Sequence, residues 1–237
     1  MTDLILDTPI PADTPHERRE VTHFGLTLRY HLWGNKDKPL ILLQHGGKDH
    51  ARSWDWIVAD LVANYCLAVP DLRGHGDSDR SGGGGYEAFD LVTDFALIVE
   101  DLVAAGFEAP FRIIGHSLGG NVSLHYTSAR PERVSHLVAI EGLGFSQEAY
   151  DRVMEKSAPE RWSAALSRRL SANERKPRIF TDPEAAVERM ATLHQQLRPE
   201  QARHLALHAL KPLDEGWEWK HDTALTFSAL RPSPPEE

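Results

Sequence analysis

The sequence predicts an α/β fold: a mostly parallel sheet with helices on both faces, followed by a purely helical stretch. Three observations predict it. Leu40–Leu43, Tyr65–Val69, Phe111–Ile114 and Val134–Ile140 are short apolar runs without in–out alternation, as expected for strands covered on both faces. Helical periodicity lies between such runs. Phe89, Val92, Phe95, Ala96, Val99, Leu102 and Val103 recur at three- and four-residue spacing between Glu87 and Ala105. Beyond Glu141 the β-like runs cease and residues 146–210 read as helices. Strands alternating with helices imply right-handed crossovers and parallel pairing.

Taken in order, residues 1–18 are rich in Pro, Thr and acid and read as a loosely held tail. Arg19–Trp33 carries two β-like stretches around Gly25, an antiparallel hairpin. Gly106 stands where the helix over residues 87–105 needs a C-cap. Thr181-Asp182-Pro183-Glu184 combines a capping box with an early proline, so a helix starts there. A further helix starts near Pro199 and carries Leu205, Leu207 and Leu210. Gly82–Gly85 reads as a flexible loop, and Arg231–Glu237 as a disordered end.

The chain of 237 residues carries Lys+Arg 26 against Asp+Glu 35, a net charge of −9. That balance argues against a nucleic-acid partner, which calls for a basic face. No apolar run approaches the ~20 residues of a membrane helix, and no signal-peptide pattern opens the sequence. Cys66 is the single cysteine, so no internal disulfide forms, and its apolar surroundings read as a structural thiol. The expectation is a cytoplasmic protein with no membrane or nucleic-acid partner.

Chemistry concentrates in Gly115-His116-Ser117-Leu118-Gly119-Gly120, between the run Phe111–Ile114 and the helical Asn121–Ala129. Glycines on both sides let the chain turn sharply and present the Ser117 hydroxyl as a nucleophile. The helix behind it offers N–H groups and a positive dipole end to an oxyanion. Gln44-His45-Gly46-Gly47 follows the run Leu40–Leu43, and its turn aims the Gly47 N–H at the same oxyanion, paired with that of Leu118. His45 braces that turn. Asp71–Ser78 has neither metal-ligand spacing nor a phosphate-loop lysine and reads as structural.

These three segments, in this order and spacing, resemble the capped α/β-hydrolase family. There they are the oxyanion turn, a structural loop and the nucleophile elbow. Ile140-Glu141-Gly142-Leu143-Gly144 resembles the end of the family's sixth strand, and Gly216–Asp222, with its two tryptophans, the return from a helical cap. The resemblance covers about residues 20–222. It implies a tail 1–18, a hydrolase core 19–144, a cap 145–215, and a return segment and tail 216–237. It also implies a serine hydrolase of small, partly apolar esters, thioesters or C–C bonds, with neither metal nor organic cofactor.

The family keeps its acid and histidine after later strands, and neither is legible after Asp222. The sheet is therefore expected to be incomplete at that edge, either because the hydrolase sequence is shortened or because an oligomer covers it. Glu141 is the candidate acid. His221 is a remote candidate base. His204 and His208 stand i, i+4 without the glutamate of a zinc motif and read as core or surface histidines. His116 packs behind the elbow. The alternative to a working hydrolase is a catalytically incomplete homologue or ligand-binding remnant.

Overall fold

The computed structural model describes residues 8–82, 85–144 and 146–225, apart from the side chains of residues 149, 150 and 173. Of the expectations above, those for residues 1–7, for Gly83 and Gly84, and for the end of the chain from residue 226 lie outside that range. β1 (His16–His23) and β2 (Leu26–Trp33) form the expected hairpin, closed at Phe24 and Gly25 with φ of 44° and 76°. Both residues of such a tight turn sit at positive φ because that twist matches the twist of the strands.

β3 (Leu40–Gln44), β4 (Cys66–Pro70), β5 (Phe111–His116) and β6 (Val134–Ile140) supply the parallel part. The order is β1-β2-β4-β3-β5-β6, with β2 antiparallel to β4 and the remaining pairs beyond it parallel. β3 and β4 are buried at every residue, the reason their sequences do not alternate. Their period-two geometry instead divides two apolar layers. Leu40 and Leu42 face α2 (Ala88–Ala104) and α3 (Leu118–Ala129) with Phe95, Leu102 and Val122. Ile41 and Leu43 face α1 (Asp55–Leu61) with Trp33 and Val58.

β6 is the last strand of the sheet, and no described residue pairs with its outer side. Val138 and Ile140 are 51% and 46% exposed there, so among the described residues nothing covers that edge.

Three expectations change. The tail is shorter than residues 1–18: β1 starts at His16, and Ile10 is buried against the Trp33–Trp54 layer. The stretch after Glu141 is not purely helical. Between α4 (Gln147–Met154), α5 (Ala158–Asn173), α6 (Pro183–Leu193) and α7 (Pro199–His208) and after them run β7 (Ile179–Phe180), β8 (Leu210–Leu213) and β9 (Gly216–Trp219). They form a small antiparallel sheet in the order β7-β9-β8. Leu210 therefore opens β8 and does not belong to the helix. Finally, the cap of α6 is Asp182, which accepts from Ala185 N at 2.9 Å, with Pro183 as first helical residue. Among the described residues no helix is long and apolar enough to cross a membrane.

Candidate active site

Ser117 sits between β5 and α3 with φ 50° and ψ −115°, a conformation unfavourable for any residue with a Cβ. Two hydrogen bonds hold it there. Ser117 N donates to Ile140 O at 2.9 Å, and its carbonyl accepts from Asn121 N at 3.0 Å. The first residue of α3 is Leu118, so its N–H belongs to the helix's orphan donors and points out of the N-terminus.

The turn after β3 is fastened to this elbow by contact. A Cβ on Gly119 would lie 2.4 Å from Gln44 O and 2.5 Å from His45 O, so only glycine lets the helix start so near the strand end. A Cβ on Gly46 would meet His116 Nδ1 at 2.9 Å and Ser117 Cβ at 3.5 Å. The His45-Gly46-Gly47 turn therefore lies directly beside Ser117.

His45 braces that turn. Its Nε2 accepts from Leu72 N at 3.0 Å, which leaves Nδ1 to donate to Gly46 O at 2.7 Å. Both nitrogens are used, and burial holds its pKa to about 3, so the ring is neutral and unavailable as a base.

The Asp71–Ser78 loop is structural in its contacts. Asp71 accepts from Ala51 N (2.6 Å) and Asp77 N (2.9 Å). Arg73 and Asp94 form a buried bidentate pair at 2.5 and 2.6 Å. The loop also receives the return segment: Asp222 N donates to Gly74 O at 2.8 Å, and Lys220 Nζ meets Asp77 at 2.7 Å. Tyr86, unremarked in the sequence, donates to Asp222. Only the fold brings these residues together, across 136 positions.

Glu141 follows β6 with φ 61°, its side chain 79% exposed and 3.8 Å from His116 Nε2. No described histidine hydrogen-bonds Ser117 Oγ. His221 stacks on Trp219 instead, and burial first, then Lys48 and Arg80, holds it to about 4. A cavity of about 520 Å³ lined by His23, Phe24, Arg73 and Phe89 opens at the hairpin tip and does not include Ser117.

A model of the alpha/beta hydrolase fold matches residues 39–222. The chain belongs to the α/β-hydrolase family. A serine hydrolase-like protein of Danio rerio is 31% identical over 206 residues, covering 86% of this chain and 61% of that protein. A protein named esterase from Mycobacterium tuberculosis is 29% identical over 196 residues, covering 82% of this chain and 60% of its own length. The chain thus spans about three fifths of either hydrolase relative. The thioesterase domain from the curacin biosynthetic pathway superposes with a TM-score of 0.79 at 23% identity, over 92% of this chain and 74% of that domain, a likeness of fold.

Proposed function

We propose that this family member is a serine hydrolase of small, partly apolar acyl compounds, with Ser117 as nucleophile. The observation that carries the reading is the strained Ser117 backbone at the N-terminus of α3, with the Gly46–Gly47 turn beside it. In the cycle, Ser117 Oγ attacks the acyl carbon and loses its proton to a base. The oxyanion is held by the N–H groups of Gly47 and Leu118, and the leaving group departs protonated. Water then attacks the acyl-serine, releasing the acid and restoring the hydroxyl. Glu141, at the C-terminal end of β6, serves as the carboxylate of the catalytic set. The names of the relatives, serine hydrolase-like and esterase, support ester chemistry.

A second reading has its own support: Ser117 Oγ hydrogen-bonds no histidine among the described residues, and a serine without a base is a poor nucleophile near neutral pH. On that reading the chain is a catalytically incomplete homologue or ligand-binding remnant. A fluorophosphonate probe separates the two. Labelling of folded protein that disappears in Ser117→Ala supports the hydrolase. Folded protein that takes up no probe leaves the incomplete homologue.

A further inference from the structure

His204 and His208 stand one turn apart on α7, and nothing near them in sequence completes a metal motif. The fold brings the missing acid from 149 positions away. Asp55, first residue of α1, meets α7 so that one donor atom from each of Asp55, His204 and His208 lies within 4.8 Å of the others. All three are buried, at 1%, 7% and 5% exposure. His204 Nε2 lies 3.2 Å from Asp55 Oδ2, and the two imidazole rings are 4.4 Å apart between centroids.

One atom is out of keeping with a purely structural network. Among the described residues His208 Nε2 is buried and has no hydrogen-bond partner, as is Nδ1 of His50, whose ring lies 6.4 Å away. Buried imidazole nitrogens normally find a partner, because leaving one unsatisfied forfeits the hydrogen bond it makes in water.

We propose that Asp55, His204 and His208 form a site for a divalent transition ion of the zinc, cobalt or nickel class. Two imidazoles and one carboxylate are a donor set these ions take, with water completing the coordination. The i, i+4 spacing puts both histidines on one helix face.

Arg52 sets the strength. Its Nε lies 2.9 Å from both Asp55 oxygens, and a second nitrogen lies 2.6 Å from Oδ2. Thr8 Oγ1 also donates to Oδ2 at 3.1 Å. His204 Nε2 donates to Arg52 O at 3.1 Å, so when the ion takes Oδ2 and leaves Arg52 on Oδ1, that bond breaks and the proton moves to Nδ1, freeing the Nε2 lone pair. A guanidinium beside a dication is repulsive, so the site binds more weakly than a closed four-ligand structural centre. Its consequence is mechanical. α7 follows the main sheet and Asp55 belongs to the layer beneath it, so a bound ion adds a clamp to the contact His50 Nε2 makes with Leu205 O at 3.0 Å. The site is independent of Ser117.

The test uses the full chain, stripped with a chelator and titrated with Co²⁺ by visible absorption and with Zn²⁺ by calorimetry. One saturable site per chain and a raised Tm with Zn²⁺ are expected. His208→Gln is the deciding variant. Its Nε2 makes no hydrogen bond, so the fold tolerates the change, while affinity falls at least about tenfold, a loss that even outer-shell changes reach. Replacing the exposed His136 and His194 leaves binding unchanged. Absence of saturable binding, or binding that survives His208→Gln at full affinity, overturns the proposal.

Discussion

Lowering the pH from 7 to 5.5 perturbs one class of group in this fold above all, its buried histidines. His31, His45, His75 and His208 are 6%, 1%, 1% and 5% exposed. Burial is the leading cause that holds them to about 3, 3, 3 and 2. The unfolded chain titrates its histidines near 6.5, so below that value it takes up protons that the folded chain refuses. Stability is therefore complete above pH 6.5 and lost as pH falls toward 3. Over the stated interval each histidine costs about 1.2 kcal/mol, or about 5 kcal/mol for the four together. Asp71 works in the opposite direction. Burial pushes it up to about 7, so the folded state gains a proton there that the unfolded state does not, which stabilises by about 1.6 kcal/mol over the same interval. The net loss is about 3 kcal/mol, a large part of the roughly 5–15 kcal/mol typical of a domain. Urea unfolding at the two pH values measures it. Asp71→Asn removes the opposing contribution and steepens the loss. Stability that is flat, or that rises on acidification, refutes the assignment of these histidines as buried and neutral.

Arg73→Met leaves the Asp94 carboxylate buried without its bidentate partner and should cost about 3–5 kcal/mol. In a thermal melt that is a drop of about 6–20 °C, with fluorophosphonate labelling per folded molecule unchanged. Gly119→Val drives a side chain into the carbonyls of Gln44 and His45, and a destabilisation of at least about 1–3 kcal/mol in urea is expected. Ser117→Gly relieves the φ of 50° and should raise stability by about 1 kcal/mol while abolishing labelling; a loss of stability contradicts the strain. The open edge of β6 should draw copies together on size-exclusion chromatography, and Val138→Lys should disperse them, whereas elution of the unaltered chain at monomer mass refutes the association.

The parallel strands were legible because burial on both faces writes itself locally: Leu40–Leu43 and Tyr65–Val69 are apolar at every position. β8 and β9 were not, although they pair with each other across a tight turn, because Lys211, Pro212 and Glu218 hide the strand pattern among polar and proline residues. Glu218 looks like a solvent residue and is 4% exposed, held by Arg80 at 3.1 Å and Lys211 at 2.7 Å. Ile10 was hidden for the same reason. Nothing among its polar and proline neighbours announces that it packs on Trp33.

The same division runs through the chemistry. The elbow is contiguous: strand, turn, Ser117 and helix N-terminus all lie between Phe111 and Ala129, so local glycine spacing is enough to place Ser117 at the turn. A general base has no such constraint, since any element that reaches the turn supplies it. Asp55, His204 and His208 make the point from the other side. Sequence spacing gave two histidines and rightly found no local acid, yet the fold supplied the acid from a different layer. A missing partner in sequence is thus weak evidence of a missing partner in space, which is why the base question at Ser117 is one for the labelling experiment and not for motif spacing.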